Sequence, residues 1–203
     1  MKTVILTGLI GSGKSAVSAL LRERGIPVYD SDARTKDLYD RVPGLVSRLE
    51  KALEVSLRDA AGRLDRRALA SVIFASPAAR EKLEAIVYPL VKEDFLRWRD
   101  AQEAAPFVVL ESAVILSKPV FDGVGDAVVL VTAPLQVRLQ RVVARDGCTP
   151  EEALLRMQAQ SIPEDRVDVV LSNDGTPEAL SAAVKRSFFR KNSYLCKILK
   201  QTE

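Results

Sequence analysis

Near the start of the sequence lies a short run whose residue types and spacing suit the binding of phosphate. The run reads Gly8-Leu9-Ile10-Gly11-Ser12-Gly13-Lys14-Ser15 and fits the pattern G-x-x-x-x-G-K-S. Its glycines let the backbone curl until several N–H groups point at one anion. Lys14 supplies a positive charge that reaches the β- and γ-phosphates, and the Ser15 hydroxyl is a hard oxygen ligand suited to Mg²⁺. The pattern predicts a site for a nucleoside triphosphate.

The residues on either side of this loop predict the elements that hold it. An apolar run, Val4-Ile5-Leu6, precedes the loop, and apolar residues at helical spacing follow it until Gly25. A second extended run, 26–29, comes next. A strand, a phosphate loop, a helix and a strand form one βαβ unit, so both strands should be parallel in one sheet. The loop then lies at the carboxyl edge of that sheet, where ligands bind.

Two carboxylates, Asp30 and Asp32, leave the second strand at the same edge. Phosphoryl transfer requires a group that aligns an acceptor hydroxyl and removes its proton, and a carboxylate does this in kinases. We therefore interpret Asp32 as a candidate catalytic base and Asp30 as the more structural residue of the pair. The alternative is that one of them simply caps the following helix.

A long helical pattern separates the second strand from the third. Residues 33–102 carry apolar side chains at helical spacing, interrupted by a loop at 59–63. This length exceeds what a single crossover requires, so we expect a helical subdomain over the strand ends that grips the phosphate acceptor. Arg66 begins a helix there and either holds an anionic substrate or is solvated.

Two further apolar runs, 107–110 and 128–131, predict buried parallel strands. Glu111 ends the first of them, where it orients either a magnesium shell or the acceptor. After the second, three arginines fall on one helix face, Arg138, Arg141 and Arg145. Together with the next short helix, they predict a hinged flap that brings guanidinium groups onto the γ-phosphate. A solvated helix face is the alternative.

The last predicted strand, 167–171, ends in the polar turn Ser172-Asn173-Asp174-Gly175. Such a turn at the strand ends either offers amide and carbonyl groups to a base or is only a turn. A basic C-terminal tail follows, from Lys185 to Lys200. Because it matches no known nucleic-acid-binding module, we do not interpret it as a nucleic-acid contact.

Composition narrows the class of protein. The chain has 203 residues, 47% of them hydrophobic, which suffices for one α/β core with modest inserted subdomains. Arginines that bind phosphate would explain the net charge of +3 as well as nucleic-acid binding would, and solubility alone is a third explanation. The absence of histidine leaves acid–base chemistry to carboxylates. Cys148 and Cys196 form no metal or disulfide motif, and no apolar stretch suits a signal peptide or membrane helix. We expect a soluble, cytoplasmic protein.

Taken together, these residues resemble the dephospho-coenzyme A kinase family over nearly the whole chain. The motifs stand in the order in which that family has them. They are Leu6-Thr7-Gly8 with Ile10 to Ser15, Asp30-Ser31-Asp32, Arg66-Arg67-Ala68-Leu69, Ile73-Phe74 with Pro77, Pro89-Leu90, Arg141-x-x-x-Arg145-Asp146, Gln160 and Asn173-x-Gly175. The phosphate loop alone is shared with many kinases, whereas the ordered set is much more selective.

The resemblance implies ATP- and Mg²⁺-dependent phosphorylation of the ribose 3′-hydroxyl of dephospho-coenzyme A, giving coenzyme A and ADP. It also implies an α/β fold of the P-loop kinase type, with a five-stranded parallel sheet flanked by helices, a helical substrate-binding subdomain and a lid. Within one kinase domain, the predicted core comprises 1–32, 105–135 and 167–203, the acceptor-binding subdomain 33–104, and the lid 136–166. We expect a monomer or weak oligomer that binds this small molecule and neither nucleic acid nor membrane.

Carried over by position, the resemblance implies roles for individual residues. The catalytic residues are Asp32 as the base, Lys14, and the lid arginines Arg141 and Arg145. The nucleotide is held by Gly8, Gly11, Ser12, Gly13, Lys14, Ser15, Ala16 and Asn173, the last near the adenine. The acceptor is held by Asp32, Arg66, Tyr88 and Glu111, and the magnesium ion by Ser15.

The sequence departs from the family pattern at four places. Leu9 replaces the second glycine of a Gly-Gly pair, and Ala16 stands where threonine is common. Tyr88 precedes Pro89-Leu90 where histidine is usual, and residues 112–116 replace an expected Pro-Leu-Leu. The first two barely touch the phosphate chemistry, whereas the last two bear on how the coenzyme is held.

Two alternative functions remain at this point. The nearer one is another small-molecule P-loop kinase, acting on a nucleoside or a sugar acid. The other is a nucleotide-dependent switch or a nucleic-acid motor. The sequence contains no Asn-Lys-x-Asp guanine signature, and the arginine stripe suits a kinase lid better than a switch.

Overall fold

Short runs rich in valine form the strands of a five-stranded parallel sheet. A computed structural model describes residues 1–199, apart from the side chain of Glu164. The strands are β1 Thr3–Thr7, β2 Val28–Asp30, β3 Val108–Glu111, β4 Ala127–Thr132 and β5 Val169–Ser172. Their order across the sheet is β2-β3-β1-β4-β5, so β1 lies at the centre between β3 and β4. The predicted parallel sheet is confirmed.

The carboxyl ends of the strands bring the polar residues of the sequence motifs to one edge. β1 ends at Thr7, directly before the phosphate loop. Glu111, the last residue of β3, pairs in register with Leu6 of β1 on one side and with Asp30 of β2 on the other. Because all five strands are parallel, the residues that follow them meet at this edge.

The chain forms two compact units, and the sheet belongs to the first, which comprises Met1–Asp30 and the described residues from Trp98 onward. The helices that lie in this unit are α1 Lys14–Arg22, α6 Leu135–Asp146, α7 Pro150–Gln158, α8 Pro177–Val184 and α9 Tyr194–Leu199. Apolar residues of α1, α8 and α9 pack with β-strand residues into one buried cluster. Val17 and Leu21, four residues apart on α1, are fully buried in it.

The second unit, Ser31–Arg97, is helical. It contains α2 Ser31–Arg41, α3 Leu45–Leu53, α4 Arg66–Ala75 and most of α5 Pro77–Asp100. Asp65 caps α4 by accepting hydrogen bonds from two N–H groups of its first turn. Helix α5 is long but carries charged residues along its length, and within residues 1–199 no helix is both long and apolar enough to cross a membrane.

A buried ion cluster joins two helices of the second unit. Asp94 of α5 is only 5% exposed, and its carboxylate lies 2.8 Å from Arg34 and 3.3 Å from Arg41, both on α2. A carboxylate with so little access to water is stable only when cations and hydrogen bonds compensate it. Asp94 therefore fixes α2 against α5 near both ends of α2.

Helical structure continues into the predicted basic tail. Helix α8 ends at Val184, and the tail begins as a single π-helical turn, Lys185–Phe189, that separates α8 from α9. Phe188, in this π-helical turn, is buried in the core, where its ring stacks on that of Phe107 with 6.2 Å between the ring centroids. Lys200 of the predicted basic tail lies outside the described residues.

We predict that Leu21→Ala lowers the free energy of unfolding by about 2–5 kcal/mol, because it removes a fully buried side chain from the close-packed cluster. The matched control is Leu155→Ala on α7, where the side chain is 68% exposed and the expected change is within about 0.5 kcal/mol. Urea unfolding of both variants checks the difference. Equal losses in the two would contradict the described packing of α1.

Candidate active site

The phosphate loop joins β1 to α1, and two of its glycines determine its shape. Gly11 and Gly13 have φ angles of 78° and 95°, in the left-handed region that favours glycine. A Cβ atom on Gly11 would lie 2.6 Å from the carbonyl oxygen of Arg138, and one on Gly13 would overlap the side-chain amide of Asn173. Among residues 1–199, the N–H groups of Gly11 and Gly13 have no protein acceptor. They are therefore available to an anion.

Positive charge is concentrated at the same loop. Lys14 is the first residue of α1, and its Nζ donates a 2.7 Å hydrogen bond to the carbonyl oxygen of Gly8, across the loop. The amino end of α1 adds the partial positive charge of the helix dipole. Ala16 completes the turn by donating its N–H to Gly13 at 3.1 Å. A triphosphate in this loop would meet amide donors, a helix end and an ammonium group together.

Glu111 connects β3 with the helix that follows the loop. Its carboxylate is 7% exposed and accepts hydrogen bonds from the hydroxyls of Ser15, at 3.3 Å, and Ser18, at 2.6 Å. A serine hydroxyl and a buried carboxylate next to a phosphate loop provide the kind of oxygen ligands that Mg²⁺ prefers. Within residues 1–199, no three carboxylate, thiol or imidazole side chains converge into a cage.

Arg141 and Asn173 hold the phosphate loop from one side. The guanidinium of Arg141 donates to the carbonyl oxygens of Gly11, at 3.4 Å, Ser12, at 3.5 Å, and Asn173, at 3.0 Å. The buried side-chain amide of Asn173 donates to the Ser12 carbonyl at 2.8 Å. The structure thus brings both predicted residues to the loop, where they bind its carbonyl groups and leave the N–H groups of Gly11 and Gly13 available.

The three arginines of the predicted stripe have different surroundings. Arg138 donates through Nε to the carbonyl oxygen of Ala133, at the start of its own helix. Arg145 forms a two-pronged ion pair with Asp146, at 2.7 Å and 3.0 Å, and the hydrogen bond holds the pKa of the Arg145 guanidinium above its usual value. Arg156 of α7 shares the same carboxylate. Of the stripe, Arg141 is the arginine whose side chain hydrogen-bonds the phosphate loop.

Asp32 and Tyr88 lie in the second unit and influence one another. Asp32 is the second residue of α2 and is exposed, while Asp30 precedes the helix. The phenol of Tyr88 on α5 donates to Glu84 at 3.2 Å. Burial, followed by the Glu84 carboxylate and then by Asp32, raises the pKa of Tyr88 well above its usual value. The raised pKa favours the protonated phenol, which donates its hydrogen bond to the Glu84 carboxylate.

Arg66 also lies in the second unit, at the start of α4. Its guanidinium donates to the Lys36 carbonyl at 3.3 Å and to the Asp40 carboxylate at 3.4 Å, and its charge partly offsets the effect of burial on the pKa of Tyr39. Arg66, Asp40 and Tyr39 line an open groove of about 810 Å³, and Arg58 and Arg63 line it as well. The Arg66 side chain is thus exposed but fixed by two hydrogen bonds at the edge of this groove.

Sequence reasoning did not assign three of the polar contacts described here. Ser18 binds Glu111 more closely than Ser15 does, and its position three residues after Ser15 on one helix face was the available signal. Gln160 accepts a hydrogen bond from the Ile10 N–H of the phosphate loop at 2.7 Å. Asp94 had no local signal, since its arginine partners are distant in the sequence.

The central parallel sheet, the phosphate loop after its middle strand and the arginine on the helix after β4 together define the P-loop kinase class. A family model described as dephospho-CoA kinase matches residues 2–178. The chain belongs to the dephospho-CoA kinase family.

Individual relatives agree with this assignment. The chain is 40% identical over 183 residues to a dephospho-CoA kinase of Thermus thermophilus, covering 89% of this chain and 87% of the relative. It is 39% identical over 189 residues to a dephospho-CoA kinase of Frankia casuarinae, covering 91% of this chain and 81% of the relative. A crystal structure of a Thermus thermophilus protein, 39% identical, superposes with a TM-score of 0.77 over 91% of this chain and 94% of that one.

We predict that Gly11→Ala abolishes measurable ATP binding while the protein stays folded. The added methyl group would meet the backbone of α6 at 2.6 Å, and the residue would keep a strained positive φ. Gly62→Ala is the matched control, because Gly62 also has a positive φ of 75° but has open space around its Cβ position. Calorimetric ATP titration and circular dichroism of both variants check this. Normal ATP affinity in Gly11→Ala would refute the described loop.

Proposed function

We propose that this chain transfers the γ-phosphoryl group of ATP to the 3′-hydroxyl of dephospho-coenzyme A, giving coenzyme A and ADP. Its family membership makes it an ATP-dependent kinase of this substrate. The observation that carries the proposal is the phosphate loop in which the Gly11 and Gly13 N–H groups have no protein acceptor among the described residues while Lys14 reaches across the loop. Such a loop binds a polyphosphate at the amino end of a helix.

The roles of the individual residues follow from their chemistry. Asp32 accepts the proton of the 3′-hydroxyl while the oxygen of that hydroxyl attacks the γ-phosphorus of ATP. The bond between the γ-phosphorus and the bridging oxygen breaks, and that oxygen leaves with ADP. Lys14 and the loop amides stabilise the negative charge on the transferring group and on ADP. Arg145 adds a guanidinium from the lid, and Arg141 keeps the loop in its binding geometry.

Magnesium would be held by the Ser15 hydroxyl together with oxygens of the nucleotide, and the buried Glu111 carboxylate orients Ser15 for this purpose. When bound, the ion supplies charge neutralisation between the β- and γ-phosphates. Asn173 is placed by its bond to Ser12 at the side of the loop, where the adenine would lie.

We also propose that Arg66 and Tyr88 contribute to acceptor binding in a helical subdomain comprising residues 33–104, and that 136–166 act as the lid. The phenol of Tyr88, which donates a hydrogen bond to Glu84, takes the place of the family's usual histidine as a neutral donor. We propose a cytoplasmic monomer or weak oligomer that binds no nucleic acid. Both cysteines are unbonded thiols, as a reducing compartment requires.

We predict that Asp32→Asn lowers kcat by at least about a hundredfold with dephospho-coenzyme A, because an amide cannot accept the hydroxyl proton, while ATP affinity stays within about twofold. Coupled ADP release and calorimetry measure the two quantities. Lys14→Ala is the comparison variant, since it should weaken ATP binding as well as turnover.

The same assay tests the acceptor. A panel of dephospho-coenzyme A, nucleosides and sugar acids should show transfer only to the first. Preferential phosphorylation of another alcohol would exclude the proposed acceptor, and nucleic-acid-stimulated hydrolysis without transfer would favour a motor. Loss of ATP affinity in Asp32→Asn would mean that Asp32 serves the metal or the fold.

We predict that Ser15→Ala raises the Mg²⁺ concentration for half-maximal activity about tenfold, because the metal loses its protein hydroxyl ligand. Ser15→Thr keeps a hydroxyl at the same position and should behave like the unaltered chain. Activity measured across a magnesium titration at saturating substrates separates the two variants. An unchanged magnesium requirement in Ser15→Ala would remove Ser15 from the metal site.

A further inference from the structure

One backbone donor of the phosphate loop is bound from outside the loop. The Ile10 N–H donates to the side-chain oxygen Oε1 of Gln160 at 2.7 Å, a short bond for an N–H donor. Gln160 follows helix α7 by two residues, and its own N–H donates to the Met157 carbonyl at the end of that helix. A side chain fixed to the end of α7 therefore reaches 150 residues back in the sequence to hold the loop.

The position of this bond determines what it can control. Gln160 fixes the peptide between Leu9 and Ile10, and Arg141 binds the carbonyl of the peptide between Gly11 and Ser12. The intervening peptide carries the Gly11 N–H, which has no protein acceptor among the described residues. The orientation of that donor is therefore set by two side chains on its flanks, one at the end of α7 and one on α6.

Close packing does not replace the bond. A cavity of about 210 Å³ lies behind the loop, and Leu9, Ser12, Arg138 and Ile162 contribute to its lining. The Ser12 hydroxyl and Arg138 Nη1 are buried there without a hydrogen-bond partner among residues 1–199. A loosely filled cavity gives the loop room to shift. The hydrogen bond from Ile10 to Gln160 therefore constrains this part of the loop more strongly than side-chain packing does.

We infer that Gln160 is a positioning residue for nucleotide binding, which holds the Ile10 peptide so that the Gly11 N–H points into the phosphate site. It also couples the loop to the segment of α6, α7 and the residues up to 163. By thermodynamic reciprocity, a nucleotide that requires this loop geometry stabilises the contact between that segment and the loop. The inference rests on the proposed nucleotide-binding function of the loop, but not on the identity of the acceptor.

The Gln160 side chain combines two properties that suit this position: it has an acceptor oxygen for the Ile10 N–H, and it carries no charge. Glutamate at this position would offer the same acceptor, but would place a negative charge beside a triphosphate. Glutamine supplies the acceptor without that repulsion. Methionine has a similar length and no comparable acceptor, so the two substitutions separate the hydrogen bond from the charge.

The experiment measures ADP affinity by calorimetry and amide hydrogen exchange in the peptide 8–14, using the full chain without acceptor. For Gln160→Met we expect about tenfold weaker ADP binding, the effect of losing one net hydrogen bond, and faster exchange in this peptide. For Gln160→Glu we expect exchange like that of the unaltered chain. Its ADP affinity should be weakened at low ionic strength and recover as salt is added, whereas the Gln160→Met defect should not recover.

Kinetics add a second readout. In Gln160→Met, KM for ATP should rise about tenfold, while KM for dephospho-coenzyme A should stay within about twofold. A purely structural role would lower thermal stability without this division between the two substrates. The matched control is Gln158→Met, because Gln158 is an exposed residue at the end of the same helix. It should leave ADP affinity and loop exchange unchanged.

Several results would overturn the inference. One is ADP affinity within twofold of the unaltered chain in Gln160→Met, with unchanged exchange in residues 8–14. Another is an equal defect in Gln158→Met, which would assign the effect to the helix end in general. Failure of the unaltered chain to bind ADP would overturn the nucleotide site and this inference together. Normal ADP binding with transfer to a different alcohol would change the proposed acceptor and leave this inference standing.

Discussion

The rest of this structure depends on keeping two amide groups of the phosphate loop available to a ligand. These are the N–H groups of Gly11 and Gly13, which have no protein acceptor among residues 1–199. A buried N–H without an acceptor is unfavourable, and a turn that directs its N–H groups inward relaxes unless something holds it. Here the positive φ angles of Gly11 and Gly13 permit the geometry, and contacts from distant parts of the chain maintain it. The binding energy of a polyphosphate is then available because little reorganisation is required.

The contacts around the loop show a division between its two kinds of backbone group. Arg141 and Asn173 bind its carbonyl oxygens, which would otherwise repel a triphosphate. Gln160, which lies outside the loop, accepts a hydrogen bond from the Ile10 N–H. These side chains come from α6, from the turn after β5 and from the residue that follows α7, so the loop is held by elements that lie far from it in the sequence. A rigid site of this kind suits a reaction that depends on positioning and electrostatic stabilisation.

The sequence contains no histidine. The two carboxylates and the phenol to which we assign roles in the proposed reaction have different environments. Glu111 is buried against two serine hydroxyls, whereas Asp32 is exposed in the first turn of α2. Burial, and after it the carboxylates of Glu84 and Asp32, raise the pKa of Tyr88. In the second unit, the buried Asp94 binds both Arg34 and Arg41 of α2, so the helix that carries Asp32 has a defined orientation within that unit.

The amino-acid sequence alone determined the phosphate loop and the five parallel strands, because these depend on local patterns: glycine spacing and apolar runs. It also determined the family, since the ordered motifs are local as well. Only the tertiary structure decided that Arg141 holds loop carbonyls while Arg145 pairs with Asp146, and that Gln160 reaches Ile10. Three arginines at helical spacing look equivalent in a sequence. Their different partners come from residues far along the chain, and sequence spacing does not report which distant groups the fold brings within hydrogen-bond distance.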